Sequence, residues 1–563
     1  MLLSNLDLLA TAPVGVTKLR ELILTLAVQG KLVPQDPADE PAGVLLQKIR
    51  AEKDRLIAEG KIKRDKPLAE IAEEEKPFGL PLGWEWVRLG STMEMLNGRA
   101  FKPSEWIDAG LPIVRIQNLN NPNASFNYCD PSTVSEKNLI HDGAFLISWS
   151  GTPGTSFGAF IWNRGAAALN QHIFKCVLIG SVFSSEFLRL SINSQLNVLI
   201  AQAQGGVGLQ HVTKGVLENL VLVLPPLAEQ SRIVTRVEAL MRLCDALEAK
   251  GQLEAAQHAQ LVSTLLGTLI ASNTPDELAA NWQRVAQHFD LLLDRPQAID
   301  ALEQTLLQLA VRGLLVPQDP TDEPASALLQ KIRAEKDRLI ATGQIKKGKP
   351  LPPITDEEKP FELPAGWEWV RLGDAALRGP SNGLSPRPQE LPTDVRCLSL
   401  SATTQGFFKP ECFKYVDFSS QAAQQFFLKN GDLLIQRGNS LEYVGIAAIY
   451  DGPDDAYIYP DLMMRLQLST CVKTEFIHIM LVCADGRSYF QRNATGTQGT
   501  MPKVNQATVA GAPIPLPPLA EQSRIVTRVT ALRRLCANLR QRLAERQSVQ
   551  ARLAEALVDS VAA

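Results

Sequence analysis

The sequence predicts an α+β protein in which two unequal globular α/β heads are separated by long helices, with pseudo-twofold symmetry. Two internal repeats carry this prediction. Residues 30–90 return at 313–373 without a gap, and the stretch LLQKIRAEKDRLIA is identical in both copies. The stretch LPPLAEQSRIVTRV at 224–237 returns unchanged at 516–529. Repeats of this kind indicate two copies of one structural unit.

The segments between the shared blocks are dissimilar and supply the two heads. The chain has 563 residues, which exceeds what one hydrophobic core holds, and each head is long enough for a compact domain. The predicted regions are an N-terminal helical region (1–90), a first head (91–223), central coiled-coil helices (224–299), a repeat of the N-terminal region (300–373), a second head (374–515) and a C-terminal coiled-coil helix (516–563).

Each shared block contains a short amphipathic helix. In the first copy it is expected at 41–59, ending before Gly60, because Gly is favoured just past the end of a helix. The apolar positions of this helix fall on one side: Leu45, Leu46, Ile49, Leu56 and Ile57. The other side carries charges of both signs, which is typical of a solvated face. Because the same face occurs in both copies, it suits a partner that binds twice.

The two heads are rich in short β-prone runs broken by Gly, Pro, Asn and Asp. The segments at 143–162 and 431–450 each predict a strand, a Gly/Ser-rich turn and a second strand. A twisted antiparallel sheet with interspersed helices is therefore expected in each head. The last part of the first head also aligns with the last part of the second, which indicates one fold with two different surfaces.

A long helix follows each head, after Pro226 and Pro518. We expect the first at about 226–270 and the second from about 518 to near the C-terminus. Apolar residues recur at alternating steps of four and three, which is the period of a coiled-coil seam. The seam residues are Ile233, Val237, Leu240, Cys244 and Leu247, and then Ile525, Val529, Leu532, Cys536, Leu539 and Leu543. A helix of ~40 residues is ~60 Å long and can act as a spacer.

Composition gives no indication of nucleic-acid binding and argues against several other classes of protein. The net charge of −3 gives no basic footprint for nucleic acid, and the heads carry 8 basic against 8 acidic and 12 basic against 13 acidic residues. No apolar run reaches the ~18 residues of a membrane span, and the N-terminus lacks the features of a signal peptide. The eight cysteines form no C-x-x-C pair and are expected to be buried thiols. A cytoplasmic protein that contacts no membrane is expected.

The sequence also predicts no catalysis and no metal site. It contains neither the cofactor loop and N-P-P-[YF] motif of a methyltransferase nor a phosphate-binding G-x-x-x-x-G-K-[ST] loop. Its six histidines lack metal-ligand spacing. A self-contained methyltransferase or nuclease is therefore disfavoured. A plain coiled-coil adaptor is a third alternative, against which the size of the two heads argues.

The chain resembles the specificity subunit of type I restriction–modification systems. The motifs that carry the resemblance are QGKLVPQDPADEPA (29–42), LPLGWEWVRLG (80–90), FLISWSGTPG (145–154), GDLLIQRGNS (431–440) and the repeated LPPLAEQ segment, and their duplicated order is more specific than any one of them. The resemblance implies that the heads are target recognition domains, that each binds one half of a split double-stranded DNA site, and that the long helices pair as an antiparallel coiled coil.

The same resemblance implies partners and their cofactors. Two modification (methyltransferase) subunits would use S-adenosylmethionine to form N6-methyladenine, and up to two restriction (translocase–nuclease) subunits would use ATP and Mg²⁺. The chain itself would need no cofactor. All chemistry would then lie outside this subunit.

Candidate DNA contacts are polar side chains in Gly-containing turns of the heads. Arg can recognise guanine with two hydrogen bonds, and Asn or Gln can recognise adenine in the same way. Each candidate could instead be a turn or cap residue. The candidates are Arg115, Gln117, Asn118, Ser150, Thr152, Thr155, Gln204, Gln210, His211 and Lys214 in the first head, and Arg437, Asn439, Ser440, Gln498, Thr500 and Lys503 in the second.

Overall fold

A computed structural model describes residues 6–62, 67–151, 157–196, 210–272, 274–496 and 501–562. The chain divides into two compact units. The first unit comprises Met1–Glu254 and Gln547–Ala563, and the second comprises Ala255–Arg546. Each unit therefore contains one predicted head together with its preceding shared block.

The first half of the chain supplies seven helices among its described residues. They are α1 (Leu6–Thr11), α2 (Gly15–Val28), α3 (Ala42–Ala58), α4 (Ile116–Asn120), α5 (Ser185–Ser194), α6 (Lys214–Glu218) and α7 (Leu227–Ile270). Helix α3 matches the helix predicted at 41–59, and its buried residues Ala42, Leu45 and Ile49 lie on the predicted apolar side.

The second half repeats the shared helices. Its helices are α8 (Pro275–Gln287), α9 (Phe289–Leu292), α10 (Pro296–Val311), α11 (Ala325–Ala341), α12 (Leu372–Ala375), α13 (Ser420–Ala423), α14 (Thr474–Val482), α15 (Ala484–Asn493), α16 (Gln506–Ala510) and α17 (Leu519–Ala562). Helices α10, α11 and α17 are the counterparts of α2, α3 and α7, and both α7 and α17 are 44 residues long.

A glycine fixes the exit of α2 and of its counterpart α10. Gly30 has φ of 71°, and a Cβ atom there would lie 2.5 Å from Cγ of Pro81 and 3.0 Å from the Trp84 ring. Gly313 repeats this geometry against Pro364 and Trp367. Because only glycine adopts this backbone and leaves this space, the chain can turn tightly onto the tryptophan.

The residues of the predicted helical seams are buried or half-buried. Ile233, Val237 and Cys244 of α7 share a core with Ile23 and Ala27 of α2 in the first unit. The end of α17 contributes a second cluster there, in which Ala554 and Val558 pack with Leu9, Ala12 and Leu22. The helical part of the first unit therefore comprises α1 and α2, the start of α7 and the end of α17.

The second unit repeats this arrangement with the two long helices exchanged. Val262, Leu266 and Leu269 of α7 share a core with Cys536 and Leu543 of α17 and with Ile299, Leu302 and Leu306 of α10. The start of α7 thus belongs to the first unit and its end to the second. The start of α17 belongs to the second unit and its end to the first. The seam was predicted correctly, but its partners include the short helices α2 and α10.

The first head contains two four-stranded sheets. The antiparallel sheet has the order β2-β10-β6-β8, and the mixed sheet has the order β4-β3-β9-β5 with β3 and β9 parallel. The strands of the first half are β1 (Glu85–Arg88), β2 (Met93–Asn97), β3 (Leu111–Val114), β4 (Asn127–Cys129), β5 (Leu139–Ile140), β6 (Ala144–Ser148), β7 (Ser150–Gly151), β8 (Gly158–Trp162), β9 (Ala167–Leu169), β10 (Ile173–Leu178), β11 (Gln210–His211) and β12 (Val221–Leu224).

The second head repeats the antiparallel sheet, with the order β14-β20-β18-β19, and adds a three-stranded sheet, β15-β17-β16. Its strands are β13 (Glu368–Arg371), β14 (Ala376–Asn382), β15 (Pro388–Gln389), β16 (Arg396–Leu398), β17 (Phe413–Val416), β18 (Leu433–Gln436), β19 (Ala447–Ile449), β20 (Met463–Leu468) and β21 (Pro513–Leu516). Strands β6 with β8 and β18 with β19 are the two predicted strand–turn–strand segments.

Both heads are therefore versions of one α+β fold, as predicted. A two-stranded sheet closes each head where it joins the scaffold: β1 pairs with β12, and β13 pairs with β21, in the same antiparallel register. Six of the eight cysteines are buried and the other two are partly buried, which agrees with the expectation of packed thiols.

Candidate DNA interface

A buried arginine anchors each head to its shared block. Arg88 donates to both carboxylate oxygens of Glu75, at 2.9 and 2.8 Å, and to the backbone oxygens of Ala69, Glu70 and Asn219. Arg371 repeats this pattern with Glu358, and its guanidinium holds the pKa of that carboxyl down to about 2. Since every guanidinium donor is used, these arginines hold the base of each head rigidly.

A second repeated junction joins the scaffold to the start of each long helix. The Trp84 Nε1 donates to Oε2 of buried Glu229 at 2.9 Å, and Gln35 Nε2 donates to Oε1 of the same carboxylate at 3.1 Å. In the second copy, Trp367 and Gln318 donate to the Glu521 carboxylate in the same way. Burial raises the pKa of Glu521 despite these donors.

The turn of the first head brings several predicted residues together. Strand β7 continues β6 and pairs with β11, so that Ser150 lies opposite His211 and Gly151 opposite Gln210. The side chain of Ser150 is buried. Lys214 is exposed at the first position of α6, four residues before its ion-pair partner Glu218. Ser150, Gln210 and His211 are thus joined in one short ribbon, with Lys214 three residues further on.

The second head builds the same feature from different residues. Gly438 pairs with Lys503 in an isolated antiparallel β-bridge. Two backbone hydrogen bonds flank it: the Val504 amide donates to the Arg437 carbonyl at 2.8 Å, and the Asn439 amide donates to the Pro502 carbonyl. The Asn439 side-chain amide donates to Oε1 of Gln436 at 2.8 Å. Arg437, Asn439, Ser440 and Lys503 therefore lie together. Ser440 and Lys503 are exposed, whereas Arg437 and Asn439 are half-buried.

A second group in the first head surrounds Arg115, at the end of β3. Its Nη2 lies 3.4 Å from Oδ1 of Asn127, and its guanidinium carbon lies 6.0 Å from the centre of the Trp106 ring. The Arg115 Nε and the Asn127 Nδ2 are buried and have no hydrogen-bond partner. Gln117, two residues along, is exposed. This arginine therefore retains unused hydrogen-bonding capacity beside an exposed indole.

Asn118 differs from the other candidates because it is fully buried. Its Oδ1 accepts from the Arg115 amide, and its Nδ2 donates to the carbonyls of Ala124 and Ser125. All the polar atoms of its side chain are therefore used within the loop. Asn118 positions Arg115, and its amide has nothing left to offer a base.

Five candidate residues lie outside the described residues: Thr152, Thr155, Gln204, Gln498 and Thr500. Sequence reasoning did not identify Trp106 or Asn127, which lie 9 and 12 residues from Arg115 along the chain. The ring of Trp149 also lies 5.4 Å from that of His172 and 5.7 Å from that of Phe174. In the sequence, the aromatic residue Trp149 stands directly before the Ser-Gly turn, and this position could have indicated the second aromatic group.

The described ranges contain no group of three or more His, Cys, Asp or Glu side chains able to hold a metal ion. Within the same ranges, every helix is too short or too polar to cross a lipid bilayer.

Fold and surface together define a class of protein: two heads of one topology, each with its own polar turn, attached through identical junctions to a duplicated helical scaffold. The model of the type I restriction modification DNA specificity domain matches twice, at residues 81–257 and 364–546. These two ranges cover both heads and the adjoining parts of the scaffold.

Curated relatives match over nearly the whole chain. The type I restriction enzyme EcoEI specificity subunit of Escherichia coli is 35% identical over 559 residues, covering 97% of this chain and 94% of the relative. The EcoAI specificity subunit of Escherichia coli is 36% identical over 562 residues, with the same coverage. A solved chain from a study of type I R-M complex assembly aligns with a TM-score of 0.47 at 20% identity, covering 86% of this chain and 99% of that chain.

The chain belongs to the family of type I restriction–modification DNA specificity subunits. It is a subunit for DNA sequence recognition and not an enzyme by itself, because in this family catalysis lies in partner subunits. The alternatives of a self-contained methyltransferase, a nuclease or a coiled-coil adaptor gain no support.

Proposed function

We propose that each head recognises one half of a split site in double-stranded DNA, and that the long helices set the distance between the two halves. The observation that carries the proposal is the pair of polar turns, at 148–151 with 210–211 and at 437–440 with 501–503. They occupy the same place after the equivalent strands β6 and β18 but carry different side chains. One fold with two surfaces is what two different half-sites require.

The proposed contact set follows from exposure and from unused hydrogen-bond capacity. In the first head it comprises Arg115, Gln117 and Lys214, with Asn118 and Ser150 as positioning residues. In the second head it comprises Arg437, Asn439, Ser440 and Lys503. The remaining candidates stay predictions: Thr152, Thr155, Gln204, Gln210, His211, Gln498 and Thr500. Because neither head is basic, phosphate attraction is local or comes from partner subunits.

We further propose that two modification subunits bind the duplicated scaffold and supply methylation with S-adenosylmethionine. Up to two restriction subunits, which use ATP and Mg²⁺, would then join in the cytoplasm. Support comes from the matching exposed faces of α3 and α11, which present Lys48, Arg50 and Asp54 in one copy and Lys331, Arg333 and Asp337 in the other. One partner surface can therefore bind the chain twice.

Replacement of residues 91–223 by the head of another specificity subunit is expected to change only one half of the recognised sequence. The physical reason is that each head is closed by its own strand pair, β1 with β12 or β13 with β21. The chain is co-expressed with its modification subunit, and methylated adenines are mapped across the genome.

Replacement of residues 374–515 is the matched control and should change the other half only. A change in both halves after either replacement would contradict recognition by independent heads. Loss of methylation in both chimaeras would instead indicate that the exchange has damaged the scaffold. A single-head exchange between close relatives would distinguish this damage from a failure of independent recognition.

A further inference from the structure

The two copies of the scaffold are joined to their long helices by contacts that are nearly identical. The tryptophan–glutamate bond is 2.9 Å in both copies, the glutamine–glutamate bond is 3.1 and 3.0 Å, and the arginine–aspartate pair is 2.5 Å (Arg232–Asp39) and 2.6 Å (Arg524–Asp322). The strand pairs that flank these contacts have the same register. None of these contacts can distinguish α7 from α17 as the partner of a given scaffold block.

One contact is different because its charges are inverted. In the first unit Arg20 of α2 contacts Asp245 at 2.7 Å and Glu248 at 3.2 Å, both on α7. In the second unit the position of Arg20 is held by Glu303 of α10, and the position of Glu248 is held by Arg540 of α17. Glu303 contacts Arg540 at 2.7 Å and Arg533 at 3.0 Å.

The neighbouring positions extend the inversion. Asp300 of α10 also contacts Arg540, at 2.7 Å, and its counterpart in the first unit is the neutral Thr17. The counterpart of Asp245 is the neutral Ala537, and the counterpart of Arg533 is Met241. The pairing face is therefore basic on α2 and acidic on α7, but acidic on α10 and basic on α17.

Exchange of the helices would bring like charges together in both units. With α17 in place of α7, Arg20 would face Arg533 and Arg540. With α7 in place of α17, Glu303 would face Glu248 and Asp245. Charged residues at helix interfaces set partner choice in this way, since they favour one pairing and oppose the other. These charges therefore distinguish two pairings that the repeated tryptophan, glutamine and arginine–aspartate contacts leave equivalent.

We infer that the inverted ion pairs of Arg20 and Glu303 form a pairing code, which assigns each scaffold block to the long helix that follows its own head. The block and the helix both adjoin the same head through β1 and β12, or through β13 and β21. When each scaffold block pairs with the long helix that follows its own head, each head stays attached to its own copy of the scaffold. The recognised partner of each acidic or basic face is a helix of this same chain.

The test removes the code from the full-length chain while the facing helices of each unit keep opposite charges. Five residues of the first unit are replaced by their counterparts from the second: Thr17→Asp, Arg20→Glu, Met241→Arg, Asp245→Ala and Glu248→Arg. Both units then have the same polarity, so that the exchanged pairing is no longer opposed. A rescue variant adds the reciprocal changes, Asp300→Thr, Glu303→Arg, Arg533→Met, Ala537→Asp and Arg540→Glu, and so restores opposite polarities.

Disulfide trapping at a contact shared by both copies reports the pairing. Asp39→Cys with Arg232→Cys reports native pairing, and Asp39→Cys with Arg524→Cys reports exchanged pairing, within or between chains. Each chain is refolded from denaturant and oxidised, and disulfide-linked peptides are quantified by mass spectrometry. An exposed ion pair changes an equilibrium by up to roughly fivefold. Because several pairs act together, we expect the exchanged disulfide to rise about tenfold in the five-residue variant.

In the rescue variant the exchanged disulfide is expected to return to the wild-type amount. That result would separate the charge pattern from any general loss of stability, since the rescue variant carries twice as many substitutions. Equal amounts of exchanged disulfide in the wild-type, five-residue and rescue backgrounds would overturn the inference. A rise that persists in the rescue variant would also overturn it, because it would follow the substitutions and not the polarity.

Discussion

Replacement of Arg371 by methionine is expected to lower the free energy of unfolding of the second unit by about 2–4 kcal/mol. The guanidinium is buried and makes five hydrogen bonds, two to Glu358 and three to the backbone oxygens of Pro352, Pro353 and Gly511. Methionine fills part of the volume but satisfies none of these acceptors. The loss is large because three backbone oxygens lose their donor at once, and the partly exposed Glu358 carboxylate loses its cation.

Urea denaturation followed by tryptophan fluorescence measures this effect. Arg378→Met serves as the control, because Arg378 is exposed in the same head, and it should change stability by no more than about 0.5 kcal/mol. Arg88→Met tests the equivalent site of the first unit. A loss below about 1 kcal/mol for both buried arginines would show that the surrounding segments adjust and that the junction is not rigid.

The pH dependence of the same variant gives an independent check. The pKa of Glu358 is about 2 in the folded chain, below its ordinary value of 4.5, chiefly because Arg371 donates to the ionised carboxylate. A depressed pKa contributes stability that is present above pH 4.5 and is lost as pH falls towards 2. The difference in stability between wild type and Arg371→Met should therefore shrink over this range. A constant difference would place the destabilisation elsewhere.

Sequence patterns were sufficient for the regular parts of the fold. The seam of α7 and α17 follows from apolar steps of four and three, and the observed bounds, Leu227–Ile270 and Leu519–Ala562, lie close to those predicted. The strand–turn–strand segments around β6 and β18 follow from alternating apolar residues and Gly-rich turns. These features depend on neighbours within a few residues, which a single sequence records directly.

Contacts between distant segments could not be predicted in the same way. Trp84 and Glu229 are 145 residues apart, and nothing in either local pattern indicates their hydrogen bond. The charge inversion at Arg20 and Glu303 is visible in the repeat alignment only after α2 is known to lie against α7. The candidate DNA residues were chosen by chemical type, which cannot separate exposed Gln117 from buried Asn118.

Replacement of Arg115 by alanine is expected to relax sequence preference in one half-site only, by about 1–3 kcal/mol or roughly tenfold to a hundredfold. Arg115 has a buried Nε without a partner and only a 3.4 Å contact from Nη2 to Asn127. Such a guanidinium can donate two hydrogen bonds to guanine while losing few hydrogen bonds within the protein. Arg437, whose Nε is likewise buried and unpartnered, should have the same effect on the other half-site.

The measurement is competition binding by the subunit assembled with its modification subunits, against DNA with single substitutions in each half-site. Lys347→Ala is the control for a lost positive charge, because Lys347 is exposed in the shared block preceding the second head. A phosphate contact weakens binding to all sequences alike and lowers the salt dependence, whereas a base contact changes discrimination at one position. Uniform weakening by Arg115→Ala would therefore assign this arginine to the DNA backbone. Altered preference in both half-sites would refute the assignment of one half-site to each head.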